Sequence, residues 1–242
     1  GPRAYAILIA MIACLSLPGV FNMPVLDRDE ARFTQATAQM LETGDYVVIR
    51  YHNELRNKKP VGIHWLQAAA VAGLSDVSDR QIWAWRIPSL LGAMLTVCAL
   101  FWGGCALFNR NAAFAAATLA GTTLLISSEA HIAKTDSALV GFVTLAMAAL
   151  AHLRKSDADK RGLLPKQADA TESAEKARLM RVTSGEKALS VLFWFAIGLG
   201  TLIKGPIAPM IAGLCIAMLV AWERRTSWLR PLLFWPGPLL MT

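Results

Sequence analysis

The ionisable residues that could do chemistry in this largely apolar chain are few: Asp29 and Glu30, Lys58 and Lys59, Arg86, the run 127–136 with Glu129, His131, Lys134 and Asp136, and Lys204. A carboxylate at the edge of an apolar region can take a proton from an attacking hydroxyl. Lysine ammonium groups and an arginine fork can hold a phosphate and stabilise the negative charge that grows on it as it leaves. Acids and cations of this kind, brought to one place, would serve group transfer from a phosphate-bearing donor.

What must position them is a set of membrane spans. A span needs about 20 mostly apolar residues, and uncharged runs cover residues 4–26, 87–108, 111–128, 137–153, 188–203 and 205–222, with a seventh from 231 cut off at 242. The composition is 55% hydrophobic. Its division into runs bounded by Arg, Lys, Asp and Glu defines an all-α, polytopic transmembrane bundle rather than a soluble core. The first run lacks a small-residue cleavage site and is long for a secretory signal, so it reads as a retained helix. Cys14, Cys98, Cys105 and Cys215 fall inside apolar runs without metal-ligand spacing and read as small buried hydrophobes.

Alternation from a cytoplasmic amino terminus puts residues 27–86, 129–136 and the Lys204 turn on the outer side. It puts Arg110, residues 154–187 and residues 223–230 inside. The 154–187 segment carries nine Lys/Arg against six Asp/Glu, which fits the positive-inside rule. The net charge of +7 then reflects topology and contact with membrane lipids, not nucleic-acid binding.

The outer loop 27–86 contains more than a connector. Phe33, Ala36, Met40 and Leu41 recur at helical spacing opposite Arg32, Gln35 and Gln39 until Gly44, which predicts an amphipathic helix with a glycine stop, resting on the membrane surface. From Lys58-Lys59-Pro60 to Leu74 an apolar stretch too short to span predicts an interfacial or re-entrant helix with proline in its first turn. Local sequence leaves the chemistry open. Asp27 with Glu30 has capping-box spacing, lysines beside an interfacial helix snorkel to headgroups, Arg86 suits a helix-end anchor, and Asp136 suits a helix cap.

The motifs that these residues belong to are Asp27-Arg-Asp-Glu-Ala-Arg-Phe33 leading to Glu42-Thr-Gly-Asp45, Asn57-Lys-Lys-Pro60 with Trp65, Trp85-Arg-Ile-Pro-Ser89, Ala133-Lys-Thr-Asp136 and Leu202-Ile-Lys-Gly-Pro206. In this order the chain resembles the GT-C fold glycosyltransferases that use polyprenyl-phosphate sugars, among them the bacterial lipid A aminoarabinose transferases and protein mannosyltransferases. The resemblance implies an inverting transferase of the bacterial cytoplasmic (inner) membrane, with its site on the periplasmic or outer face. A polyprenyl-phosphate sugar would be the donor, and a glycolipid, glycan or protein of the cell envelope the acceptor. By motif, Asp29 matches the catalytic aspartate that activates the acceptor, with Glu30 as its acidic partner. Asp136 matches the second acidic residue, and Lys59 the lysine facing the donor phosphate, with Lys58 and Arg86 beside it. Lys204, His131 and Lys134 are further site residues. Several family members carry a glutamate implicated in metal binding where this chain has Lys58, and His52, His64 and His131 are not clustered in sequence; a divalent metal stays open as the one cofactor the resemblance implies, and no ligand set is assigned to it. The family has about twice as many spans, and the chain reads as the amino-terminal part of a longer protein.

Two other classes are weighed. A transporter or flippase of a lipid-linked sugar would carry ionisable residues or broken helices near mid-bilayer, whereas here the charges fall at span ends. A non-catalytic assembly subunit is the third. Residues 156–186, rich in Ala, Lys, Glu and Asp, carry no recognisable chemistry.

Overall fold

The computed structural model describes residues 1–25, 27–56, 58–162 and 182–233. Most of the seventh run, residues 234–242, and most of the inner segment expected at 154–187 lie outside the described residues. Helix α1 spans Pro2–Asn22, α4 Ile82–Leu107, α7 Asp136–Gly162 and α8 Ser184–Lys204, each long and apolar enough to cross a membrane. Between them come α5 (Arg110–Gly121) and α6 (Leu124–Ala130), and after them α9 (Ile207–Glu223) and a short 3-10 helix (Ser227–Leu233). The chain is a multi-pass membrane protein.

α4 packs against α1, α3 (Gly62–Leu74), α5, α6 and α7, and α7 continues the layer onto α8, which packs against α9. Connections alternate between two ends of the bundle. At one end lie the outer loop, the turn into α7 and the α8–α9 turn. At the other, the Arg110 guanidinium beside α5 reaches the carbonyl of Gly1.

The structure refines three expectations. The run 111–128 is not one straight helix: the helix breaks after Gly121, and α5 and α6 meet at 62°, with the Thr123 hydroxyl capping the new amino terminus. α7 continues well past residue 153, so the start of the inner segment is helical. Pro60 precedes α3 (Gly62–Leu74) instead of sitting in its first turn.

The outer loop folds onto the bundle. α2 (Arg28–Thr43) starts at Asp27, whose carboxylate accepts from the Asp29 N–H at 2.6 Å, and stops at Gly44 in the left-handed conformation expected of a glycine stop. Its apolar stripe is covered by protein, not by lipid. Phe33 packs into the core with Ile63, and Ala36 and Met40 are closed over by Ile49 and Val61. Ile49 precedes a two-residue hairpin, Arg50–Tyr51 paired with Glu54–Leu55, whose tip is tied down by Gln39: its side-chain amide bonds both the N–H and C=O of His52. α3 then lies against α8 so closely that a Cβ at Gly62 would sit 2.5 Å from the Leu202 carbonyl oxygen. Only glycine fits there, and this contact brings Lys58 and Lys59 beside Lys204. On the other face of α3, Trp65 and Leu66 remain exposed, as an interfacial helix requires.

Candidate active site

Glu30 and Arg86 form a buried junction. Each is 1% exposed. The Arg86 fork donates to both Glu30 carboxylate oxygens, at 2.8 and 3.1 Å. Its remaining donors reach the carbonyls of Gly19, Val20, Met23 and Pro24 at the end of α1. Glu30 also accepts from the Ala133 N–H at 2.8 Å. One ion pair thus ties α1, α2, α4 and the turn into α7, and it satisfies carbonyls that a helix end would otherwise leave bare. Arg86, expected at a phosphate, is engaged by Glu30 and α1, and Glu30, expected as the acidic partner of Asp29, is buried in that pair. Asp27 caps α2, but the second half of the expected capping box is given up to Arg86.

A second buried network lies beneath. The Thr37 hydroxyl has one proton; donating it to Gln67 Oε1 at 2.8 Å, it must accept from His64 Nδ1–H at 2.7 Å. Gln67 in turn donates to the Ala133 carbonyl at 3.4 Å. Burial, reinforced by Arg56, lowers the His64 pKa to about 4, so the imidazole is neutral.

That shift carries a pH prediction. Between the folded value of about 4 and the unfolded 6.5, the unfolded chain holds more protons, so stability rises with pH. His64 contributes up to about 3 kcal/mol, fully present above roughly pH 6.5 and lost as the pH falls toward about 4. His64→Asn, which can keep a donor toward Thr37 but does not titrate, should flatten the melting-temperature profile over that interval in detergent. An unchanged slope would assign the dependence to other groups.

Around this rigid base stand the groups that remain accessible. Asp29, on the first turn of α2, keeps 49% of its side chain exposed, and its one ion-pair partner among the described residues is Arg32, at 3.7 Å. Asp136, the first residue of α7, pairs with Lys204, the last of α8. Ser137 and Ser89 hold the turn before α7 against α4: Ser137 donates to the Ser89 carbonyl at 2.6 Å and Ser89 to the Lys134 carbonyl at 3.3 Å. Lys134 pairs with Asp27, and its ammonium, with the Asp29 N–H, holds the Asp27 carboxyl below the usual carboxylate range. Glu129 lies within electrostatic range of Lys134, Asp136, Asp27 and Lys204.

Lys58, Lys59 and Lys204 line one open cavity of about 530 Å³ together with Val47, Ile49 and the Gly205-Pro206 turn. The Lys59 ammonium lies 5.3 Å from the Phe33 ring centroid, and the Arg56 guanidinium lies at the same distance. Phe33 follows Asp29 by one helical turn of α2, so Lys59 packs against the same end of α2 that carries Asp29. Asp29, Asp136 with Lys204, and Lys58 with Lys59 therefore gather at one end of the bundle, on the same side. Lys58, Lys59 and Arg56 have no acidic partner among the described residues, which leaves the rim with a surplus of positive charge.

Arg56 does not stand out in the sequence. Its one signal there is a cation three residues before Lys59, and only the hairpin turns it onto Phe33. His131 is not part of the rim: its ring packs under α1 so tightly that a Cβ at Gly19 would lie 2.8 Å from its Cγ. Lys134 is committed to Asp27. Position 58 is an exposed lysine, and no group of three or more His, Cys, Asp or Glu is placed to hold an ion among the described residues.

A multi-pass helical bundle with amphipathic helices folded over one end, and with acidic and cationic groups gathered there, has the architecture of a GT-C membrane protein. The crystal structure of ArnT from Cupriavidus metallidurans in the apo state superposes with a TM-score of 0.74, and that of ArnT bound to undecaprenyl phosphate with 0.71. Both are 20% identical and cover 98% of this chain and 39% of the ArnT chain. The undecaprenyl phosphate-alpha-4-amino-4-deoxy-L-arabinose arabinosyl transferase of Aeromonas hydrophila is 23% identical over 203 residues, covering 84% of this chain and 32% of the relative. The model of the dolichyl-phosphate-mannose-protein mannosyltransferase family matches residues 58–164. The chain has the GT-C fold and is related to the aminoarabinose transferase and protein mannosyltransferase superfamily. It spans about a third of the length of the curated relative it matches.

Proposed function

We propose that this chain forms the donor-phosphate and acceptor-activating part of an inverting glycosyltransferase that takes a sugar from a polyprenyl phosphate. The observation that carries this reading is the cavity where Lys58, Lys59 and Lys204 converge beside α2, at the boundary of an apolar bundle able to hold a lipid tail. An acceptor hydroxyl attacks the anomeric carbon and gives its proton to Asp29, while the bond from that carbon to the phosphate oxygen breaks. The configuration inverts, and the electron pair leaves with the lipid phosphate, where Lys59 and its neighbours stabilise it. Asp136, held by Lys204, orients the sugar or supports the positive charge at the reacting carbon.

The acceptor is a glycolipid, glycan or protein hydroxyl at the outer face of the bacterial inner membrane. The basic inner segment supports that orientation. A flippase is less well supported, because the charged groups sit at helix ends and none lines a mid-bilayer path among the described residues.

The test is turnover in proteoliposomes of the intact protein with a polyprenyl-phosphate sugar and a mixed glycolipid acceptor. The expected result is release of free polyprenyl phosphate, and Lys59→Ala should lower kcat by about 10² to 10³ with the melting temperature unchanged. Movement of the donor across the bilayer without its consumption would establish the flippase instead.

A further inference from the structure

The end of the bundle opposite the site carries a second cavity, of about 540 Å³, between the ends of α4, α7 and α9. Its depth follows from α7. From Asp136 at the site end to Arg154 the helix rises about 27 Å, close to the roughly 30 Å of a bilayer's hydrocarbon core. Arg154 and what surrounds it thus lie at the opposite headgroup layer.

The lining is cationic and aromatic. Arg154, Lys155, Arg161 and Arg225 face Asp157 and Glu223, a surplus of two positive charges. The carboxylates are taken: Glu223 pairs with Arg154 and Asp157 with Arg161. Lys155 and Arg225 have no acidic partner among the described residues. Trp228 is 3% exposed, lines the cavity, and its indole N–H has no acceptor among the described residues. A buried donor left unpaired is costly and calls for a partner. At the rim Trp222 is 88% exposed, in the position of an indole that sits among headgroups.

We propose that this cavity binds the phosphate headgroup of an anionic membrane phospholipid. Lys155 and Arg225 neutralise it, the Trp228 indole N–H donates to a phosphate oxygen, and Trp222 lies along the first carbons of an acyl chain. A lipid is chosen over free phosphate because the cavity sits at headgroup depth and opens beside exposed apolar residues. Its surplus charge favours an anionic over a zwitterionic lipid.

Native mass spectrometry of the intact protein in detergent, titrated with phosphatidylglycerol or phosphatidylcholine, tests this. Phosphatidylglycerol should bind about tenfold or more tightly, given roughly 1 kcal/mol per basic residue near the membrane surface. Lys155→Gln and Arg225→Gln should each weaken it about fivefold by the same measure, whereas Arg3→Gln, at the same end of the bundle but outside the cavity, should change nothing. Trp228→Phe keeps the ring, removes the donor, and should weaken binding about threefold to tenfold; it decides the matter if the charge variants fail to assemble. Equal binding of the two lipids, or affinity unchanged in Trp228→Phe and the charge variants, overturns the proposal. So does displacement of phosphatidylglycerol by millimolar inorganic phosphate, which would make this a free-anion site.

Discussion

Asp29→Asn should reduce sugar transfer by about 10² to 10⁴, the range that general-base assistance supplies, while leaving the fold in place. The substitution preserves the shape of the side chain and removes its ability to take a proton. Structure should survive because α2 is capped through the Asp29 backbone N–H, which the change does not touch. The side chain's one ion-pair partner among the described residues is Arg32, in an exposed approach at 3.7 Å, and exposed pairs contribute little. Turnover per folded molecule, with donor and acceptor both saturating, is the measurement. Near-normal turnover would remove Asp29 from the mechanism and leave Asp136 as the carboxylate to test.

Arg86→Met should have the largest effect on assembly. It strands the Glu30 carboxylate in a site 1% exposed and strips the donors from four carbonyls at the end of α1. Removing one partner of a buried ion pair costs about 3–5 kcal/mol. Lysine is no substitute, since a single ammonium cannot span both Glu30 oxygens and the carbonyls at once. The expected result is a sharply lowered melting temperature and yield, with the surviving folded fraction turning over near the normal rate. Lys59→Ala should behave in the opposite way, with stability kept and rate lost. If Arg86→Met instead kept its melting temperature and lost only turnover, Arg86 would return to the donor phosphate, as its position in the sequence first suggested.

The contrast between these two cations shows what was legible. The spans were, because a bilayer admits only helices with long uncharged stretches, and such stretches are countable in one dimension; α1, α4, α7 and α8 fall where the apolar runs lie. The amphipathic α2 and its stop at Gly44 were legible too, since spacing and a left-handed cap are local properties. The break in the third run was not, because Gly121-Thr-Thr123 is short and uncharged, so hydropathy does not register it. The hairpin at Arg50–Leu55 escaped notice because two-residue strands have no periodicity.

The sequence by itself placed the crossing helices α1, α4, α7 and α8 and put Asp29, Lys59 and Asp136 in the segments that join them at one end. Only the tertiary structure decided which charges are free. Glu30 stands next to Asp29 and looks alike in sequence, yet one is buried against a guanidinium 56 residues away and the other faces water. Arg86 and Lys59 both stand just before apolar runs of the sequence, yet the first is spent on Glu30 and the α1 carbonyls and the second is left at the cavity. A charge's work depends on what lies within a few ångströms of it, and those neighbours arrive from distant parts of the chain once the helices pack.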